Sequence, residues 1–297
     1  MESSQQTCYR HNGRETNVSC SNCGRPICPD CMTPSPVGMR CPECSSERQK
    51  IYTRADIGPG VGVAGFAREA PVTAGLIALS LLVFLAQIAT GYPIGFMSQG
   101  GGGWVTEHGL LFAPAIAGGE WWRVLTPGFL HLGLLHIAMN MYLLYVLGRM
   151  LEPELGPVQM LAVYVTSLLA GSLGAIILEP SVPSAGASGA IFGLMGMTLV
   201  VARSRGLSEA VKQIGVLVVI NLVITFGYSG ISKGAHLGGL IGGALCGLIL
   251  FELGERRGWL GRGARAQQVG TAIVTVMGFV LFFACIIVAR ATYPQYT

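Results

Sequence analysis

Seven stretches of mostly apolar residues, each near the length of a lipid bilayer, constrain this chain more than any other feature. They cover about 72–92, 129–148, 157–178, 188–202, 213–227, 235–251 and 270–289. A helix that crosses a membrane needs roughly 20 such residues. The fourth and fifth stretches are short, and the fourth opens in glycine. Only 11% of the 297 residues are charged, where soluble globular chains carry about 25%, and the mean hydropathy is +0.56. The expected class is therefore an all-α polytopic membrane protein. The first 50 residues are polar and cysteine-rich, so they do not read as a secretory signal.

Basic residues set the expected orientation, because Lys and Arg collect on the cytoplasmic side. Arg149, Arg203, Arg205, Lys212, Arg256, Arg257, Arg262 and Arg265 fall on one side together with the N-terminal region; only Arg123, Lys233 and Arg290 fall on the other. The chain is expected in the cell membrane as a multi-pass protein, with a cytoplasmic N-terminus and the C-terminus outside. Loops 93–128, 179–187 and 228–234 then face out. The net charge of +4 reflects this topology and does not call for a nucleic-acid partner.

Residues 1–48 are different in kind. Cys8-x-x-His11, Cys20-x-x-Cys23, Cys28-x-x-Cys31 and Cys41-x-x-Cys44 form four ligand pairs. A two-residue gap lets both side chains of one tight turn reach one tetrahedral metal. Eight ligands fit two closed structural zinc sites and leave no open coordination position for chemistry. A disulfide framework is the alternative, but the expected orientation puts this segment in a reducing compartment. So short a segment also buries too little apolar surface to fold unaided. The spacing allows either sequential or interleaved pairing of the four turns. The Gly-rich 49–70 stretch reads as a flexible linker. Cys246 and Cys285 lie in apolar spans and read as small packing residues.

An ionisable group inside a span is costly and is a site candidate by default. His131, His136 and His236 are such groups, and Asn140 joins them as a buried amide. No aspartate follows Asp56, and the later glutamates sit in loops or at span ends. That pattern disfavours proton-coupled transport and aspartyl proteolysis, and no His-Glu-x-x-His string supports a metalloprotease. What remains suits acyl transfer: a serine hydroxyl needs a base, and histidine is the usual one. Ser188 and His236 lie at matched depth near the outer face. Without a carboxylate the unit must be a dyad, with its imidazole held by packing and hydrogen bonds, and slow turnover is expected. Gly189 and Gly193 on the fourth span, and Gly239, Gly243 and Gly247 on the sixth, recur at the four-residue step that lets membrane helices approach closely. Simple packing glycines are the plain alternative. His136 and Asn140 share one helix face and can both donate hydrogen bonds to a developing oxyanion. Ser188, at a helix N-terminus, adds free backbone N–H groups. His131 reads as a loop brace.

Four motifs in order then resemble the rhomboid intramembrane serine proteases: "EWWR" (Glu120–Arg123), "HLGLLHIAMN" with His131, His136 and Asn140, "GASGAIFG" with Ser188, and "GAHLGGLIGG" with His236. The resemblance covers about 70–252. It implies a six-helix core over 71–252 that cleaves transmembrane protein substrates within the lipid bilayer near its outer face, with no cofactor for catalysis. It implies Ser188 as nucleophile and His236 as base. His136, Asn140 and the Ser188 N–H would form the oxyanion hole, and Phe192 would lie beside the base. A basic cytoplasmic loop and a seventh spanning helix, 253–297, lie outside the match. The N-terminal module resembles a B-box-like zinc finger, which implies that the first and third pairs share one ion and the second and fourth the other. A cytoplasmic protein is the partner such a module would recruit. A non-catalytic membrane chaperone or adaptor on the same scaffold is the competing reading.

Overall fold

The computed structural model describes residues 6–21, 23–35, 38–45, 62–96, 102–256 and 264–296. The chain divides into two compact units, Met1–Ala64 and Gly65–Thr297.

The first unit is built from two small antiparallel hairpins. Strand β1 (Gln6–Thr7) pairs with β2 (Glu15–Thr16), and β3 (Thr33–Ser35) pairs with β4 (Gly38–Arg40). Its interior is Ile27 together with the cysteines, of which Cys8, Cys20, Cys28, Cys31 and Cys41 are buried. Little else is apolar, so the cysteines must do more than pack.

The second unit is helical. It opens within α1 (Val63–Glu69) and runs on through α2 (Pro71–Ala89), α3 (Trp104–Gly109), α4 (Ala113–Ala117), α5 (Leu134–Leu155), α6 (Pro157–Leu178), α7 (Ser188–Ser204), α8 (Ser208–Gly227), α9 (Lys233–Gly247) and α10 (Ala264–Thr292). A π-helical stretch, Leu248–Arg256, continues α9. Among the described residues six helices are long and apolar enough to cross a membrane: Pro71–Ala89, Leu134–Leu155, Pro157–Leu178, Ser208–Gly227, Lys233–Phe251 and Gln267–Thr292. The seventh apolar segment, α7, has 17 residues. At 1.5 Å per residue it is about 25 Å long, short of a ~30 Å hydrocarbon core. Twelve of its residues are buried, so α7 is a central post enclosed by the other helices.

Several boundaries differ from the sequence reading, among them the fifth span, which starts at Ser208 and not at 213 and so reaches 20 residues. The second span starts at Leu134, not near 129, because Thr126–Phe129 is a 3-10 turn and Gly133 has φ +108°. The 93–128 loop contains α3, α4 and a 3-10 turn at Trp121–Val124. The flexible linker expected over 49–70 is corrected at its C-terminal end, where Val63–Glu69 is the helix α1. The Phe66 ring sits edge-on to Tyr145 at 4.9 Å and Glu69 pairs with Arg149 at 3.6 Å, which anchors that turn to α5. The rest of that stretch, through residue 61, and much of the basic 253–265 loop lie outside the described residues.

Close helix contacts rest on glycine. A Cβ on Gly239 of α9 would overlap the Gly189 carbonyl of α7, and one on Gly243 would overlap the Gly193 carbonyl. On the other side of α9, Gly234 and Gly238 lie against the Gly174 and Ala170 carbonyls of α6. Helix α9 is thus held in backbone contact with two neighbours. Helix α10 packs on α6: Thr166 donates to the Val274 carbonyl at 3.1 Å, and Gln159 donates to Thr271 at 2.8 Å.

The start of α2 is fixed by a group that reads from sequence only as a span-end acid. Glu152, 1% exposed, accepts hydrogen bonds from the Val72 N–H (2.7 Å), the Thr73 N–H (2.8 Å) and the Thr73 hydroxyl (2.6 Å). Two of the unpaired N–H groups of a helix N-terminus are satisfied by one buried carboxylate. Hydrogen bonds to a charged group contribute about 1.5–3 kcal/mol. Glu152→Ala is expected to lower the thermal unfolding midpoint in detergent by roughly 5 °C or more. An unchanged midpoint would show that α2 is held by packing alone.

Candidate active site

The segment that leads into α7 is pinned by three backbone hydrogen bonds. Leu111 and Ser184 exchange backbone hydrogen bonds at 2.9 and 3.0 Å, and the Gly186 N–H donates to the Pro127 carbonyl at 2.8 Å. Gly186 has φ +130°, a conformation side-chain-bearing residues rarely adopt. The chain turns there and enters α7 with Ser188 as the first helical residue. Its N–H belongs to the set with no partner inside the helix.

His236 comes from the first turn of α9. The His236 Nε2 lies 2.7 Å from the Ser188 Oγ. The ring stacks on Phe192 at 4.2 Å between centroids and 21° between planes. Phe192 is one turn beyond Ser188, so one helix face carries both the hydroxyl and the surface that orients its partner. Ser232 caps α9 by accepting from the Ala235 N–H at 3.1 Å, and Glu179 accepts from the Ser232 hydroxyl at 2.6 Å.

A donor pocket lies beside the hydroxyl. The Leu132 N–H donates to His136 Nδ1 at 3.2 Å. That bond makes Nδ1 an acceptor, so the neutral ring carries its proton on Nε2. A Cβ placed on Gly186 would stand 2.8 Å from His136 Nε2 and 3.4 Å from Ser188 Oγ. The missing side chain of Gly186 therefore leaves an atom-sized space between a hydroxyl and an imidazole N–H. An oxygen held there would meet a donor, as a developing oxyanion requires. Asn140 is buried on the same face of α5, and its amide donates to the His136 carbonyl at 3.0 Å. The structure thus brings Ser188, His236 and His136 together directly, while Asn140 stands one turn behind His136.

A family model of the rhomboid domain matches residues 118–253. The chain is 38% identical over 146 residues to "Putative rhomboid protease YdcA" of Bacillus subtilis (strain 168), covering 48% of this chain and 73% of that one. The chain belongs to the rhomboid family. It is also 44% identical over 131 residues to "Rhomboid protease GluP" of the same organism, covering 43% of this chain and 26% of that longer one. With "Rhomboid-like protease 2" of Toxoplasma gondii it shares 31% identity over 172 residues, 56% of this chain and 60% of that one. This rhomboid protein thus spans between about a quarter and three-quarters of the length of these relatives.

Other polar residues brace the rhomboid scaffold. His131 is buried, and its N–H donates to Gln87 Oε1 at 3.0 Å, while Gln87 Nε2 donates to Thr106 at 3.0 Å and to the His131 carbonyl at 3.3 Å. One glutamine of α2 ties α3 to the entry of α5. Arg123 of the Trp-Arg motif is buried, bonded to Glu120 at 2.6 Å and donating to the Glu107 and Leu110 carbonyls at 2.7 and 3.0 Å.

One residue behind His236 escapes a sequence reading. Thr225 of α8 lies 2.7 Å from His236 Nδ1, and the Thr225 hydroxyl is 2.6 Å from the Asn221 carbonyl. A threonine in an apolar helix normally back-bonds to its own turn, so nothing in its spacing singles it out.

In the N-terminal unit the eight sequence-predicted ligands form two clusters, Cys8, His11, Cys28 and Cys31, and Cys20, Cys23, Cys41 and Cys44. The first pair joins the third and the second joins the fourth, which is the interleaved arrangement. Ligand atoms 2.3 Å from a tetrahedral ion stand about 3.8 Å apart for two sulfurs. The Cys8 and Cys31 sulfurs are 3.9 Å apart, those of Cys23 and Cys41 3.7 Å, and His11 Nδ1 is 3.3 Å from the Cys28 sulfur. These spacings fit one metal ion per cluster. The Cys41 N–H points at the Cys20 sulfur at 3.3 Å, and the Cys44 N–H at the Cys41 sulfur at 3.4 Å, so the donor set suits thiolates. Nearby, the Tyr9 hydroxyl donates to Glu43 and holds that carboxyl below the usual range.

The pocket over Gly186 gives a direct expectation. In Gly186→Ala the methyl would fill the space beside His136 Nε2, and the turn would be strained. Oxyanion donors of this kind are worth roughly 10²–10³ in turnover, and a loss of at least that order is expected, together with a lower thermal midpoint from the strained turn. Full turnover in Gly186→Ala would show that the reacting oxygen sits elsewhere.

Proposed function

We propose that the chain is an intramembrane serine endopeptidase that cleaves transmembrane segments of membrane proteins near the outer face of the bilayer. The observation that carries this reading is the 2.7 Å contact between Ser188 Oγ and His236 Nε2 beside the His136 donor pocket. The names of the three relatives described above, all rhomboid or rhomboid-like proteases, support the same class.

In this mechanism His236 Nε2 takes the Ser188 proton as Oγ attacks the scissile carbonyl carbon. The C=O pair moves to the oxygen, which lies towards His136 Nε2–H and the Ser188 N–H, with the Asn140 amide close behind. The tetrahedral intermediate collapses, the C–N bond breaks, and the imidazolium gives its proton to the leaving amine. Water then repeats the sequence on the acyl-Ser188 ester and releases the new carboxylate. A substrate helix must unwind first, because its carbonyls are locked in its own hydrogen bonds. Helix α8 has the smallest buried share of the six long spanning helices, which suits it as the side from which a substrate enters. The proposed orientation places the N-terminus in the cytoplasm and the C-terminus outside.

The N-terminal module, residues 1–48, holds two structural zinc ions in this reading, one per cluster. Thiolate-rich closed sites favour zinc, and binding it would fold a segment with almost no apolar core. It recruits a cytoplasmic protein and takes no part in peptide hydrolysis. Metal analysis of the full chain is expected to find about two zinc per chain, falling by one in a Cys8→Ser/His11→Ala variant and by one in a Cys41→Ser/Cys44→Ser variant. Loss of both ions from either double variant would contradict independent sites.

The catalytic assignment is tested in native membranes by quantifying new N-termini in membrane proteins by mass spectrometry. Ser188→Ala and His236→Ala should each abolish the same set of cleavages, and the double variant should be no worse than either, since the two act as a unit. Persistent cleavage in Ser188→Ala would remove it as the nucleophile.

A further inference from the structure

We propose that Thr225 is the positioning residue of the dyad: its hydroxyl holds the proton of His236 on Nδ1 and so keeps the Nε2 lone pair free for Ser188. This rests on the protease reading above and names a third member of its machinery.

A neutral imidazole has one donor and one acceptor nitrogen, and the acceptor must face the serine. The Nδ1 proton then needs a partner, and His236 is 7% exposed, so water is scarce. No aspartate follows Asp56 to supply a carboxylate. Thr225, 0% exposed, puts its Oγ1 2.7 Å from Nδ1. The hydroxyl proton is committed elsewhere, since Oγ1 donates to the Asn221 carbonyl at 2.6 Å. What Thr225 offers the ring is therefore a lone pair. Nδ1–H donates to it, and Nε2 accepts the Ser188 proton at 2.7 Å. In the opposite tautomer a protonated Nε2 would face the serine hydroxyl and could not take its proton. When the imidazolium forms, Nδ1–H keeps the same acceptor.

The placement of Thr225 is specific. Among the 20 residues of α8 the buried ones are Ile214, Val218 and Thr225, a stripe along one face. Its last member is polar where the other two are aliphatic. An isosteric Val would fill the same space, so packing alone does not call for a hydroxyl. Phe192 holds the plane of the ring, and Thr225 selects which nitrogen carries the proton.

The test compares wild type, Thr225→Val and Thr225→Ser by labelling of Ser188 with a fluorophosphonate probe over a range of concentrations. In Thr225→Val the limiting labelling rate should fall roughly 10–100-fold, while the half-saturating probe concentration changes less than about twofold. Thr225→Ser should recover to within about threefold of wild type, because it restores the acceptor. Wild-type labelling in Thr225→Val, or a Thr225→Ser variant as slow as Thr225→Val, overturns the proposal. If Thr225→Val fails to fold, the tautomer decides. In histidine-¹⁵N-labelled wild-type protein, with the signal assigned by loss in His236→Gln, Nδ1 should be protonated and Nε2 bare. A protonated Nε2 in the neutral ring overturns the proposal. If wild type does not label at all, the protease reading fails, and the tautomer still decides the role of Thr225.

Discussion

Backbone contact between α7 and α9 is the constraint on which the rest of the site depends. A side chain at Gly239 or Gly243 would overlap a carbonyl oxygen of α7, so the two helices meet with nothing between them. In lipid no hydrophobic force draws helices together, and close packing of small residues takes that part. The separation sets how far an imidazole on α9 must reach to a hydroxyl on α7. Here that reach ends at 2.7 Å, with Phe192 stacked behind the ring. Glycines 234 and 238 hold the same helix against α6, so α9 cannot drift away from α7 without breaking a second contact.

The pairing of Ser188 with His236 was legible from sequence because each partner carries a local signal. Ser188 is a hydroxyl bracketed by glycines, His236 an ionisable group in an apolar span, and the glycines recur at helical spacing. His136 was legible as a donor, and its tautomer was not, because that depends on the Leu132 N–H reaching Nδ1 across a turn no spacing defines. Thr225 was hidden because a hydroxyl in a spanning helix is common and usually inert. Glu152 was hidden because its partners, Val72 and Thr73, lie some 80 residues earlier in the chain, and only folding brings them together. The outer 93–128 segment read as loop because its short helices are too brief to leave a periodic pattern.

The N-terminal unit shows the same division. Four C-x-x-C/H turns announce ligands, since the spacing is a property of one turn. Which turns come together is a property of the chain path between them: the Tyr9 N–H bonds the Pro26 carbonyl at 3.1 Å, beside the third turn, and the Ser21 N–H bonds the Met39 carbonyl at 2.8 Å, beside the fourth. The rhomboid core obeys a different rule, tying distant segments together with a few long-range bonds at Gln87, Arg123 and Glu152. These hold the outer segment and the first span in place around a central helix too short to span the bilayer comfortably.

The most direct test of the central claim is the rate at which a fluorophosphonate labels Ser188 as bulk is added at Gly239 and Gly243. Ser188 and His236 stay chemically intact in these variants, and only the helix separation changes. The account predicts that the rate falls in the order Gly, Ala, Val at both positions, with the Val variants folded and close to unlabelled. Val variants that label as fast as wild type would contradict it, because the serine and histidine would then be meeting without the close approach of α7 and α9.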